Sequence, residues 1–335
     1  MLAGTLMTRS TMLLLVWCSM PHHLGTSLRM PPAGDPSSDD ALPEDGTNEL
    51  LSRDNGLPPR SEFARAWQMR YEAEHRLNES MPSGVQLVLG VFTQPWQTEY
   101  RKVLRQTWLN QTGVCLWRAG PPASNCSVHV AFVYGNRGQG SKVPADADLS
   151  PSNEAAARVE PGSFVLNVEE NMNAGKTFAW FQAAAKAFPW ATHIAKCDMD
   201  AYPFLHKLVK KMSDRACMGP TPYEYAGAPS FGSNNSFNST CTPHQCENAY
   251  AFTFRGKYFS HMSGALYMLS HKLVEAVVRP GGWWEAHKGG GHEDMKTGKV
   301  IDIAAAEHGF CVSTWIPDAH YHGGQQVSEV YANSF

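Results

Sequence analysis

The chain has 335 residues, of which 43% are hydrophobic and 18% charged, and its net charge is -3. That length allows one large or two ordinary domains with a substantial buried core. The near-neutral balance offers no basic footprint for nucleic acid, so no nucleic-acid partner is expected.

The N-terminus reads as a targeting element. Arg9 precedes an apolar run, Thr11 to Met20, which is short of the ~20 residues of an ordinary membrane span. It fits the apolar region of a secretory signal, or a short signal anchor if Leu2 to Leu6 contribute. Residues 1–24 are therefore expected to be a signal peptide or signal anchor. Sequons at Asn78, Asn110, Asn125, Asn234 and Asn238 agree with entry into the secretory route. The expected location is the Golgi lumen as a type II membrane protein, or secreted or lumenal if the segment is cleaved. Beyond Cys18, seven cysteines remain, enough in an oxidising lumen for up to three disulfides and one thiol. Cys115 with Cys126 and Cys241 with Cys246 are local pairs, with connectivity left open. A zinc site at Cys241, His244 and Cys246 is the rival reading.

Residues 25–80 are expected to form a stem, largely disordered. Pro31 to Arg60 is rich in Pro, Ser, Asp and Gly. Ser61 to Leu77 then reads as a helix, with Ser61 as cap and Phe63, Ala66 and Trp67 near helical spacing. It is either a stem helix or the first helix of the fold. A single catalytic domain is placed at 81–335. Val85 to Phe92 is an apolar first strand, followed by a helix from Thr98 to Leu109. Ser127 to Tyr134 is the second strand, Gly138 to Pro151 a loop, and Glu154 to Val159 a short helix. Phe164 to Val168 is the third strand, and Lys176 to Phe188 a helix stopped by Pro189. Ala191 to Cys197 is the fourth strand, and Pro203 to Met212 the next helix.

The second half is less regular. Tyr223 to Ser230 is short and aromatic, and Gly232 to Glu247 is a loop. Lys257 to Ser270 reads as a turn and a buried strand, and His271 to Val278 as a helix. Glycines 289–291 form a hinge before a helix opened by Glu293-Asp294 and running to His308. Cys311 to Ile316 is a last apolar strand. Strands alternating with helices argue for an α/β fold with a mixed, mainly parallel sheet flanked by helices. Ligands bind such sheets beyond the carboxyl ends of the strands. No Gly-x-Gly-x-x-Gly follows the first strand and no Walker-type loop is present, so dinucleotide and P-loop readings gain no support.

The fourth strand delivers Asp198 and Asp200. In an extended chain, residues i and i+2 point the same way. Two carboxylates there suit a hard divalent ion shared with substrate phosphates. Lys176, at a helix start, and Arg105, on the helix after the first strand, could each contact a phosphate, although a surface role is the default for both. Glu293-Asp294 is either a first-turn cap or the site of a general base on a mobile loop. His320 and His322, spaced i, i+2 near the C-terminus, could each complete a metal site begun by Asp198 and Asp200.

These pieces occur in a recognisable order. Arg105-Gln106-Thr107-Trp108, Asn173-Ala174-Gly175-Lys176-Thr177, Lys196-Cys197-Asp198-Met199-Asp200, Ser263 to Ser270 and Glu293 to Gly298 resemble the ordered motifs of the β1,3-glycosyltransferase superfamily. That group comprises glycosyltransferase family 31 and related protozoan enzymes. The resemblance implies a GT-A fold and an inverting enzyme that moves galactose or N-acetylglucosamine from a UDP-sugar to a glycan acceptor hydroxyl, forming a β1,3 bond. It also implies Mn²⁺ or Mg²⁺. Asp198 would help place the nucleotide, Asp200 would bind the metal, and Asp294 would be the base. A histidine commonly completes the metal site, and His322 is favoured over His320 because Gly323-Gly324 follows it. Three departures stand out. Met199 replaces the middle acid, Ala265 and Leu266 replace glycines, and Ser163 stands where an acid is common. They motivate the alternative of a non-catalytic lumenal glycan-binding homologue.

Overall fold

The computed structural model describes residues 57–326 except 139, 141–142, 144–146, 215–220, 233–235, 242–252, 255–256 and 323–324. All of these lie in one compact unit, Arg53–Phe335. The targeting segment and the first part of the expected stem lie outside the described residues, as do Asn234, His244 and Cys246. Among the described residues, no helix is long and apolar enough to cross a membrane.

The strands are β1 (Leu87–Phe92), β2 (Val114–Leu116), β3 (Val128–Arg137), β4 (Ser163–Glu169), β5 (His193–Asp198), β6 (Ala201–Pro203), β7 (Glu224–Gly232), β8 (Thr253–Phe254), β9 (Lys257–Ser270), β10 (Ser313–Trp315), β11 (His320–His322) and β12 (Gln325–Gln326). The helices are α1 (Arg60–Ala73), α2 (Thr98–Gln106), α3 (Pro151–Val159), α4 (Lys176–Ala187), α5 (Leu205–Ser213), α6 (His271–Val277), α7 (Trp283–Ala286) and α8 (Glu293–His308).

The main sheet runs β10-β7-β9-β5-β1-β3-β2, with β4 also on β3 and β8 on β9. Strands β1 to β5 pair in parallel, whereas β9 runs antiparallel to β5 and β7. This is the α/β, mixed and mainly parallel sheet expected from the alternation. Side chains alternate along a strand, and β1 shows what that does. Leu87, Leu89 and Val91 join an apolar cluster with Phe63, Leu104 and Leu208 from α1, α2 and α5. Val88 and Phe92 join another, with Phe181, Leu273 and Ile301 from α4, α6 and α8. The sheet is thus sandwiched between two helical layers. Gly90 is needed where the second layer comes close, because a Cβ there would lie 2.4 Å from the Trp180 ring.

Helix α1 belongs to the first layer. Phe63 is fully buried and stacks on Trp67. Trp67 meets the edges of Tyr202 and Tyr321, from β6 and β11. Of the two readings left open for this helix, it is the first helix of the fold.

Two features depart from expectation. The Cys115–Cys126 disulfide forms as read, but Cys241 bonds to Cys311 and not to Cys246. The cause is a bridge between Thr240 and Val312 that sets the Cys241 and Cys311 Cα atoms 4.8 Å apart. That disulfide also removes Cys241 from any zinc site. The second departure is a small sheet, β12-β11-β6, whose strands were not among the expected elements.

Candidate active site

Asp198 closes β5 beside Phe92, the last residue of β1. The carboxyl ends of the two central strands therefore coincide. Its Oδ1 lies 2.7 Å from the Lys196 ammonium. Lys196 is 1% exposed, on a strand whose other side chains are mostly apolar. A buried ammonium must find acceptors, and Lys196 finds two more. It donates to Gly264 O in β9 at 2.5 Å and to Glu293 Oε1 in α8 at 2.7 Å. Burial would lower its pKa, but the two carboxylates outweigh burial and raise it. Burial also pushes the Asp198 carboxyl up to about 6, against the pull of Lys196, with Asp200 and Glu293 adding to the rise.

Glu293 also accepts from Tyr267 OH at 2.7 Å. Its neighbour Asp294 sits in the first turn of α8, where His292 is the N-cap residue. Asp294 Oδ1 accepts from Met295 N at 2.8 Å and Oδ2 from Gly264 N at 3.1 Å. It therefore ties the helix start to β9 rather than only capping it. Gly264 leaves little room there, because a Cβ would lie 3.1 Å from Glu293 Oε1 and 3.4 Å from Asp294 Oδ2. The glycine loop before α8 is anchored as well, with Gly289 bridged to Ala174 and Gly290 N donating to Asn173 O.

Asp200 follows in the turn into β6. Strand β6 pairs antiparallel with β11, so His322 stands opposite Ala201 and His320 opposite Pro203. His322 Nε2 thereby lies 3.5 Å from Asp200 Oδ2. Burial raises the Asp200 pKa, but the His322 contact, a backbone hydrogen bond and Lys196 together outweigh it, and the net shift is downward. His320 is buried with neither ring nitrogen hydrogen-bonded, and burial drives its pKa down to about 4. The register thus puts His322, the histidine favoured from the sequence, against Asp200, and leaves His320 buried opposite Pro203.

Met199 is 4% exposed and lies in the apolar cluster with Tyr202 and Trp315. Between the two acids the chain turns this side chain inward. Ala265 and Leu266 are likewise buried in that cluster.

The remaining two cations are engaged within the protein. Lys176 is fully buried, paired with Glu170 and donating to Thr93 O at 3.0 Å. Burial lowers its pKa, and Glu170 opposes the drop. Arg105 donates to Pro161 O at 3.1 Å, pairs with Glu160 and lies over the Phe132 ring. Arg101, which sequence reading passed over, pairs with Glu160 and donates to Thr93 Oγ1 and Gln94 O. Arg101 and Lys176 thus grip the residue after β1 through its side chain and its carbonyl. The clue was a basic residue between Tyr100 and Leu104 on the inner side of a helix. Lys196 had a comparable signal, one cation inside an apolar strand.

Among the described residues, no cluster of three or more His, Cys, Asp or Glu side chains is placed to hold a metal ion. Asp200 and His322 supply one oxygen and one nitrogen donor. That pair fits a hard cation which takes few protein ligands and completes its shell with phosphate oxygens and water. It does not fit a cage made by protein alone.

The sequence profile of the family described as Galactosyltransferase matches residues 99–281. The chain belongs to that family, and with it to the glycosyltransferases. The matched segment contains Arg105, Lys176, Asp198 and Asp200, while Asp294, His320 and His322 lie beyond it. Curated proteins offer no match. Among solved structures, the inositol-1-phosphate CTP transferase from T. maritima is similar at 9% identity and a TM-score of 0.31, over 71% of this chain and 87% of that one. Mouse xyloside xylosyltransferase 1, apo form, is similar at 13% identity and a TM-score of 0.34, over 77% of this chain and 80% of that one. Scores this low leave the fold to be defined by the strand order itself.

Proposed function

We propose that the chain is an inverting transferase that moves galactose or N-acetylglucosamine from a UDP-sugar to a glycan acceptor hydroxyl, forming a β1,3 bond. The observation that carries this reading is the Lys196 ammonium, which joins Asp198 at the strand end to Glu293 beside Asp294. A nucleotide-side acid and the neighbour of a candidate base, from distant parts of the chain, thereby share one ammonium. Asp198 places the nucleotide. Asp294 takes the proton of the acceptor hydroxyl as that oxygen attacks the anomeric carbon, which requires hydrogen-bonding reach of the hydroxyl. Mn²⁺ or Mg²⁺ bound by Asp200 and His322 would offset charge on the departing diphosphate as a Lewis acid. His320, with no path to Asp200 in this register, serves packing. Disulfides Cys115–Cys126 and Cys241–Cys311 support an oxidising compartment, here the Golgi lumen with the N-terminal segment as membrane anchor.

The test is sugar transfer from UDP-galactose and UDP-N-acetylglucosamine to a glycan acceptor, with and without Mn²⁺. Wild type should turn over one donor in a metal-dependent way. Asp294→Asn should lose about 10²–10⁴-fold in rate while still binding UDP. Binding of glycan without transfer from either donor would instead establish the non-catalytic alternative.

A further inference from the structure

Asp294 must shed its proton after each transfer, and β9 places an unassigned histidine beside it. His261 is 9% exposed, and its Nε2 lies 3.7 Å from Asp294 Oδ2. Its Nδ1 lies 2.8 Å from Ser260 Oγ. The single hydroxyl hydrogen of Ser260 is directed to Ser230 O at 3.1 Å. Ser260 Oγ is then the acceptor for His261 Nδ1–H. A neutral imidazole protonated at Nδ1 carries its lone pair on Nε2, the nitrogen that faces Asp294.

Two further observations point the same way. A Cβ at Gly298 of α8 would lie 2.6 Å from His261 Cβ and 2.6 Å from Ser260 O. Only a glycine lets the helix carrying Asp294 approach the histidine so closely. Next to the ring is a cavity of about 30 Å³ lined by Ser236, Phe237, Ser260, His261, Lys299 and Asp302. That is room for a water molecule with polar partners.

We propose that His261 is a proton relay for the transfer reaction, taking the proton from Asp294 and passing it to water in this cavity. The inference rests on the reading of Asp294 as base. The acceptor oxygen forms its bond to the anomeric carbon, and the diphosphate leaves with the electron pair of the broken bond. The hydroxyl proton goes to an Asp294 oxygen and then to His261 Nε2, and the same proton leaves Nε2 for cavity water, so that the ring keeps its Nδ1–H on Ser260 Oγ and both groups are restored. The 3.7 Å gap exceeds a hydrogen bond by a fraction of an ångström, and such contacts tighten in substrate complexes. Burial lowers the His261 pKa, while Asp294 and Glu293 raise it and His292 lowers it. The net shift is downward, so the resting ring is neutral at neutral pH.

Steady-state transfer by wild type, His261→Ala and His261→Gln, with and without added imidazole, tests this. His261→Ala should lose about 10²-fold in kcat, the low end for a general acid–base group, at unchanged acceptor KM. Imidazole, admitted to the vacated space, should restore a large part of that loss. His261→Gln fills the space and should lose kcat to the same degree without rescue. Full kcat in either variant, a loss confined to KM, or a loss in His261→Ala that imidazole leaves untouched overturns the relay alone. An inactive wild type overturns both the relay and the transferase reading.

Discussion

The two walls of the candidate site are built on different principles. Asp198 ends a central strand, hydrogen-bonded on both edges by β1 and β9, and its carboxylate rests on a buried ammonium. Asp294 begins a helix entered through glycines 289–291, two of them at positive φ, and its carboxylate is held by two backbone amides. Asp198 is held directly by buried charge and Asp294 by backbone amides, although the Lys196 ammonium also reaches the second wall through Glu293. The first should fail by unfolding and the second by losing rate.

Lys196 offers the strongest way to break this contrast. Lys196→Met keeps the apolar stem and removes the charge, leaving Glu293 buried opposite a methyl group and Gly264 O without its donor. Removing one partner of a buried ion pair costs about 3–5 kcal/mol. Thermal or urea unfolding should show a loss on that scale, with transfer activity falling alongside. A variant as stable as wild type would show that the Lys196 network does not brace the wall.

A smaller effect should separate the histidines. His322→Ala removes one of the two proposed metal donors. Its Mn²⁺-dependent UDP affinity should fall by at least the roughly 10–100-fold known for residues that merely support a metal ligand, with little change in stability. His320→Ala should do the opposite, lowering stability through a lost buried ring while leaving metal-dependent UDP binding intact. Titration of both variants with UDP and Mn²⁺ decides. Equal UDP affinity in wild type and His322→Ala would sink the assignment.

Legibility in the sequence followed the same division. The βα units from Leu87 to Asp198 could be read because each strand is an apolar run followed by a helical pattern, and parallel order follows from that alternation. The pairings that finish the site span long stretches of chain. Ala201–Pro203 meets His320–His322, and β6 and β11 are three residues each. So short a strand carries no periodicity, and its partner cannot be found locally. The pairing of Cys241 with Cys311 was hidden for the same reason. His261 was hidden differently, being one of several polar residues in the strand Lys257–Ser270, where a buried structural histidine is the ordinary outcome. Lys176 and Arg105 show the reverse: their positions suggested phosphate contacts, but Glu170 and Glu160, both outside the quoted motifs, engage them.

The smallest expected effect tests whether α1 braces the β6–β11 pairing from outside. The Arg70 guanidinium lies 3.2 Å from the centre of the Tyr321 ring and 5.9 Å from that of Trp67. Glu74, just past the helix, accepts from Tyr202 OH at 2.7 Å. Tyr202 and Tyr321 are register partners in β6 and β11, so the helix grips both strands that bring Asp200 and His322 together. Arg70→Ala removes a cation–π contact worth about 0.5–1 kcal/mol at an exposed site and about 2 when desolvated. If α1 sets the register of β11, that small loss should appear as a few-fold weakening of Mn²⁺-dependent UDP binding, and UDP binding without metal should not move. A loss of thermal stability with unchanged UDP titrations would reduce α1 to a packing element and leave the β6–β11 pairing to hold Asp200 against His322 alone.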